Sequence, residues 1–216
     1  MFKIIHTDKD YVICEKATGI SSQNTTDGKE NMPSLIAKAL NIDIESIYPV
    51  HRLDNIVGGT MVYALNRKSA SYLSREISEN RMKKTYLAIV HGCPQEKEGV
   101  YKDLLFKDSS KNKSFVVKNL RKGVKEASLE YEVLKENDEF SLVKILLHTG
   151  RTHQIRVQFA SRKMPLLGDR RYGSGKDNCS VALWSHSLEF SHAENGNNLK
   201  YSSEPDWSTF PWNLFK

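Results

Sequence analysis

An arginine and an aspartate stand two apart in Tyr48-Pro49-Val50-His51-Arg52-Leu53-Asp54, and the stretch runs on to Gly58 and Gly59. A carboxylate in such a loop can act as nucleophile or base, with a guanidinium close by. The same two side chains could instead order a surface loop as an ion pair. A second segment is His148-Thr149-Gly150-Arg151-Thr152-His153-Gln154-Ile155-Arg156. There a strand ends, a glycine turns and a helix starts. Backbone N–H groups at a helix start attract an anion, and Arg151 adds charge beside them. Arg156 lies one turn further in, where a partly buried arginine could pair with a carboxylate from another loop. A third segment, Lys83-Lys84-Thr85-Tyr86-Leu87-Ala88-Ile89-Val90, reads as a strand. Tyr86 and Ala88 share one face of it, Leu87 and Ile89 the other. The Tyr86 ring suits core packing or a stack on a flat base. A fourth, Pro165-Leu166-Leu167-Gly168-Asp169-Arg170-Arg171-Tyr172-Gly173, is turn-rich and basic. It suits a structural loop or a phosphate contact.

Other chemistries lack their residues. His148 and His153 do not have the spacing of a helical zinc motif, and no carboxylate cluster accompanies them. Neither a phosphate-binding glycine loop, a dinucleotide fingerprint nor a serine-hydrolase elbow occurs. Cys14, Cys93 and Cys179 are scattered and odd in number, which suits reduced thiols in the cytoplasm. No apolar run approaches the roughly 18 residues of a membrane span, and the N-terminus carries no secretory signal pattern.

The net charge of the 216 residues is +6. Residues 81–125 hold 12 basic and 4 acidic side chains, so the whole excess sits in that block. A surface of one sign attracts a polyanion, although a solvated lysine-rich loop has the same composition.

The elements that must position these groups follow from periodicity. Residues 2–6 and 11–15 read as two strands, 21–33 as a loop, and 34–40 as a helix opened by Pro33. Residues 59–65 read as a strand. Asn66 looks like the cap of a helix running to about residue 79. Residues 85–90 form a strand, and 92–125 are loop-rich with a short strand at 115–118. Residues 127–134 and 140–147 form an antiparallel hairpin. A helix over 152–162 and a strand over 181–184 follow. The tail, with Trp207, Phe210, Trp212 and Phe215, is aromatic enough to dock onto a core. Hairpins mixed with helix-separated strands predict an α+β fold with a mixed, mostly antiparallel sheet flanked by helices. No linker divides the chain, so one domain over 1–216 is expected.

In their order along the chain, these segments resemble the RluA family of RNA pseudouridine synthases. Glu15-Lys16-Ala17-Thr18-Gly19 is similar to the family's first motif, and His51-Arg52-Leu53-Asp54 to its catalytic motif. Lys84 to Gly92 is similar to its tyrosine strand. Thr149 to Arg156, with Pro165 to Asp169 and Tyr172-Gly173, is similar to its C-terminal motif. Two positions depart from the pattern. Ala17 stands where the family usually has proline, and Asn55-Ile56-Val57-Gly58-Gly59 replaces a charged residue followed by Thr-Ser-Gly. Both touch loop shape more than the reacting groups.

The resemblance implies the pseudouridine synthase fold, with a central cleft between the Asp54 loop and the helix at 152–162. It implies an isomerase that breaks the C1′–N1 bond of uridine and joins C1′ to C5. No metal or other cofactor is implied. Asp54 would be the catalytic carboxylate, attacking C6 of the ring or C1′ of the ribose, or taking the 2′ proton. Arg156 would pair with Asp54 and keep it ionised. Tyr86 would stack on the uracil and could help remove the C5 proton. The target base must leave its stack, and Arg52 would fill the space it vacates. His51 and Ile155 would shape the pocket, and Arg151, Lys83 and Lys84 would meet RNA. The partner would be large-subunit ribosomal RNA or transfer RNA, with no membrane and a monomeric enzyme. A chain starting directly at the first motif would be expected to lack the N-terminal RNA-binding domain of many relatives. RNA would then be held by the catalytic domain itself, with the 81–125 block as the candidate surface.

Two rivals use the same residues differently. A non-catalytic RNA-binding protein of this fold would bind without turnover. A metal-dependent hydrolase built on Asp54, His148 and His153 would lose activity to a chelator.

Overall fold

Asp8 makes the first turn. Its Oδ1 accepts the N–H groups of Asp10 at 2.7 Å and Tyr11 at 2.9 Å, the side-chain turn for which aspartate is suited. In the computed structural model, which describes residues 2–26, 28–173, 175–193 and 196–216, this turn joins β1 (Lys3–Thr7) to β2 (Tyr11–Lys16). β2 pairs antiparallel with β4 (Gly58–Ala64), and β3 (Tyr48–Pro49) also pairs with β4. β4 is buried at every residue and neighbours β10 (Leu183–Ser191), which pairs with β11 (Asn198–Ser202).

Two asparagines start the helices of this part. Asn31 caps α1 (Met32–Leu40) through a reciprocal bond pair with Ser34, and Pro33 occupies the first turn. Asn66 caps α2 (Arg67–Ser78) through Ser69 N–H. Leu73, with Ala70 and Ile77 beside it, faces Tyr11, Ile13, Val62, Leu188 and Phe190 in one core. Residues 1–84 and 185–205 form a compact unit.

Residues 85–184 and 206–216 form the other. β5 (Lys83–His91) pairs with β9 (Phe140–Leu147), β9 with β8 (Val124–Glu136), β8 with β6 (Glu98–Asp108), and β6 with β7 (Lys113–Val117), all antiparallel. α3 (Gln154–Ser161) is buried from Gln154 through Phe159. Leu87 and Ile89 pack with Leu142, Leu167 and Ala182, and Trp212 and Phe215 of the tail close that core. The tail therefore serves the fold.

The segment read as loop-rich at 92–125 contains the eleven-residue strand β6. Its lysines and Gly99 obscure an alternation in which Tyr101 and Leu105 face inward. β10 runs on past residue 184, because Ser185 and Ser187 are buried inside it. Burial of serine hydroxyls needs partners, and Ser185 Oγ donates to the Thr60 carbonyl at 3.0 Å. β11 is short: its two apolar residues, Leu199 and Tyr201, alternate with polar ones and pack against the core that holds Leu188 and Phe190.

Gly59 shows why two glycines follow the Asp54 loop. Its φ is +120°, and a Cβ there would lie 2.3 Å from the Ser185 carbonyl oxygen. Gly59→Ala should lower unfolding free energy by about 2–4 kcal/mol, from strain plus collision. Gly19, at φ +91° with open space around it, carries only the conformational cost, about 1–2 kcal/mol on substitution by alanine. Urea midpoints of the two variants test this, and equal shifts would contradict the close approach.

Candidate active site

Lys16 has no exposed surface. It ends β2, and its Nζ donates to the carbonyls of Ala17 at 3.0 Å and Asn55 at 3.1 Å. Burial pushes its pKa down to about 8, opposed by the negative charge of Asp54. A buried ammonium is thus held within electrostatic reach of the Asp54 carboxylate. The loop is fastened elsewhere too. Ser22 Oγ donates to the Leu53 carbonyl at 2.7 Å and accepts the Leu53 N–H at 3.0 Å. Tyr63 Oη fixes Ser22 by donating to its carbonyl at 2.8 Å. Gly19 N–H donates to the Asn55 carbonyl at 2.8 Å, and Val57 N–H to that of Asp54 at 2.9 Å. With Leu53 buried, its neighbours point the other way: Arg52 is exposed and Asp54 half-buried.

His51 accepts the Val62 N–H on Nε2 at 3.1 Å, so its ring proton is on Nδ1. Part of its surface is open, yet its environment keeps the imidazole neutral. Burial and then the Lys84 charge push its pKa down to about 3. Lys84 is itself buried, which lowers its own pKa. Lys83 is exposed and pairs with Glu189 at 3.2 Å.

In the other unit, Tyr86 is 7% exposed and opposite Ile145, on the face of β5 away from the Leu87 and Ile89 core. α3 carries Ile155 and Arg156, both buried. Arg156 grips Asp169 with two bonds, Nε to Oδ2 at 2.7 Å and Nη2 to Oδ1 at 2.8 Å. Burial alone would raise the Asp169 pKa. The Arg156 bond and charge, with the N–H groups of Tyr172 and Arg171, outweigh it and hold the carboxyl below its usual value. The Arg156 guanidinium also lies 5.2 Å from the centre of the Tyr172 ring. Tyr172 Oη accepts Ser114 N–H at 2.8 Å and meets His153 Nδ1 at 3.0 Å.

The turn into α3 is braced by Gln154. Its Oε1 accepts from Thr149 Oγ1 at 2.7 Å and Arg151 N–H at 3.0 Å, and its Nε2 donates to Ser128 O at 3.1 Å. His153, just before the helix, sits at φ +55°, a costly conformation for a non-glycine residue that tends to occur at functional sites. Arg151 is half-exposed and its Nε donates to the Glu126 carbonyl at 2.9 Å. The Asp169 loop is tied down in turn. Gly168 N–H donates to Asp177 Oδ2, which His91 Nε2 meets at 2.9 Å.

His148 lies against Glu130 at 2.9 Å and His153 against Tyr172. Among the described residues no three His, Cys, Asp or Glu side chains are grouped to hold a metal ion.

The sequence profile described as RNA pseudouridylate synthase matches residues 10–161. The chain belongs to the RluA family of RNA pseudouridine synthases. It is 34% identical over 195 residues to an uncharacterized RNA pseudouridine synthase of Zymomonas mobilis, covering 89% of each chain. It is 31% identical over 194 residues to one of Haemophilus influenzae, covering 89% of this chain and 84% of that one. The fold matches the solved human RNA pseudouridylate synthase domain containing 4. The TM-score is 0.78 over 95% of this chain and 89% of that one, at 21% identity. The expected α+β synthase fold is the one observed.

Sequence reasoning quoted Lys16 and Asp169 within motifs but gave neither a task. For Lys16 the available signal was a charge at the end of a strand that is otherwise apolar at 11–14. For Asp169 it was a carboxylate between a glycine and two arginines.

The synthase should show the Lys16 pKa in its stability. The folded value, about 8, lies below the unfolded value of about 10.4. Between these pH values the unfolded chain binds more protons, so stability rises with pH. Relative to Lys16→Met, the wild type should gain about 1–3 kcal/mol between pH 8 and pH 10. Urea unfolding of both proteins at each pH tests this. A difference independent of pH would contradict a charged, buried Lys16.

Proposed function

We propose that this synthase isomerises uridine in ribosomal RNA with Asp54 as its catalytic carboxylate. The observation that carries the reading is the Asp54 loop, fastened at Leu53, Asp54 and Asn55 and underlain by the buried Lys16 ammonium. The loop's hydrogen bonds fix where the carboxylate stands, and a buried cation lies within electrostatic reach of it. Ribosomal RNA is favoured by two relatives. The chain is 32% identical over 203 residues to ribosomal large subunit pseudouridine synthase D of Borreliella burgdorferi, covering 89% of this chain and 62% of that one. It is 29% identical over 206 residues to ribosomal large subunit pseudouridine synthase C of Buchnera aphidicola, covering 91% of this chain and 65% of that one. Transfer RNA is the alternative substrate.

The reaction balances without a cofactor. The C1′–N1 bond breaks, C1′–C5 forms, N1 gains a proton and C5 loses one. Asp54 attacks C6 or C1′, or takes the 2′ proton. Arg156, aligned by Asp169, supplies positive charge to the reacting groups and is the proposed counter-ion of Asp54. Tyr86 stacks on the uracil, and its hydroxyl could help take the C5 proton. Ile155 and the neutral His51 shape the pocket, and the exposed Arg52 occupies the space left by the flipped base. Arg151 and Lys83 contact the RNA outside the pocket, and Lys84 adds positive charge beneath it. Residues 1–216 work together as one catalytic domain, as a monomer, in the cytoplasm. The cytoplasm is supported by the three free cysteines among the described residues.

Tritium release from RNA labelled at uridine C5 tests the reading. Wild type should release tritium from the ribosomal fraction in the presence of a chelator. Asp54→Asn should fold and bind RNA but release at least about a thousandfold more slowly. Release confined to the transfer fraction would move the substrate. Equal release by Asp54→Asn would remove the carboxylate from the mechanism.

A further inference from the structure

The basic block at 81–125 does not act as one surface. Arg81 pairs with Glu76 and Glu79, Lys83 with Glu189, and Lys97 with Glu136, while Lys84 is buried. Residues 102–125 differ. They hold eight cations against two carboxylates. Among the described residues, Lys102, Lys107, Lys118, Lys122 and Lys125 have no carboxylate partner. Lys118, Arg121, Lys122 and Lys125 are all exposed. The unneutralised charge is therefore concentrated on β6, the turn that follows β7 and the first residues of β8.

Aromatic surface is interleaved with it. Phe106 opposes Phe115 on β7 and Val124 on β8, which puts the three in one row on one face. Phe115 is 38% exposed and Leu120, in the adjoining turn, 70%. Arg121 stacks over Phe106 with its guanidinium 5.2 Å from the ring centre, and Lys113 Nζ lies 5.9 Å from the Phe115 ring. The turn is tight, with Val124 N–H donating to the Arg121 carbonyl at 3.0 Å and Gly123 at φ +84°. Arg121 is thus anchored beside the aromatic row, not free on a loop.

Cations without counter-ions attract phosphates, and an exposed ring between cations offers a stacking platform for any base. Duplex RNA presents no free base face, whereas unpaired RNA does. We propose that the β6–β7 hairpin and the 118–125 turn dock an unpaired stretch of the substrate RNA outside the reacting nucleotide. Lys118, Arg121 and Lys122 contact phosphates, and Phe115 stacks on a base, whereas Lys125, opposite Leu105, belongs to the other face of the sheet. The proposal rests on the RNA-modifying reading above and adds the surface that supplies its affinity.

The test measures binding of a short unstructured RNA, and of the same sequence as a duplex, across a salt series. The three-fold variant Lys118→Gln, Arg121→Gln, Lys122→Gln should reduce the slope of log K against log salt by about 2 for the single strand. The matched variant Lys3→Gln, Lys38→Gln, Lys68→Gln should leave the slope unchanged. All six side chains are exposed, and melting of each variant, read alongside, separates loss of the Arg121 contact with Phe106 from loss of RNA contacts. Phe115→Ala should weaken single-strand binding about 5- to 100-fold at unchanged slope, and Phe115→Trp should restore it. An unchanged slope in the first variant, or an equal loss in the matched one, would overturn the docking surface. Equal weakening on the duplex by Phe115→Ala would overturn the stacking assignment. Asp54→Asn should keep the full slope. Wild-type binding with normal slopes but no tritium release would sink the synthase reading and leave this surface standing.

Discussion

A guanidinium and a carboxylate locked together out of water constrain the second unit of this chain. The Arg156 and Asp169 side chains are 4% and 0% exposed. Taking both charges from water costs several kcal/mol per ion, which the pair recovers only with good geometry and further hydrogen bonds. Both are present: two parallel bonds at 2.7 and 2.8 Å, plus the N–H groups of Arg171 and Tyr172 on Asp169 Oδ1. Such a pair is weak evidence for added stability but leaves little freedom in position. α3 and the 165–173 loop must therefore stay in register, and Gln154, Asp177 and His91 hold the two ends of that arrangement.

Lys16 obeys the same physics in the first unit. Its ammonium is buried with two carbonyl acceptors, and one of them belongs to Asn55 beside Asp54. A buried polar network that is satisfied is stiff, because every displacement strands a group that cannot find water. The chain places such networks under the Asp54 loop and under Arg156, the two segments from which chemistry was read.

Much of this was legible because local physics wrote it. Asn66 marked the start of α2 by its capping chemistry, and the alternation in β5 placed Leu87 and Ile89 on a core and Tyr86 on the opposite face. The Asp54, Arg156 and Tyr86 motifs were readable as types and order. β6 was not, because lysines on its exposed positions mask its alternation. Nor were the serines of β10, whose burial depends on acceptors distant in sequence such as the Thr60 carbonyl. The bidentate partner of Arg156 was also hidden. A contact between residues 156 and 169 depends on how a loop folds back, and spacing does not encode it. The same holds for the Lys16 ammonium, whose acceptor at Asn55 is 39 residues away.

The measurement that bears most directly on this picture is the single-turnover rate of pseudouridine formation by Arg156→Lys at saturating RNA. It is read by chromatography of the digested nucleosides. Lysine keeps the positive charge beside Asp169 but cannot make the fork of two bonds. If Arg156 is aligned for the reacting groups, the variant folds and binds RNA, and its rate falls about a hundredfold. A folded Arg156→Lys enzyme that forms pseudouridine at the wild-type rate would show that the pair only holds the fold together.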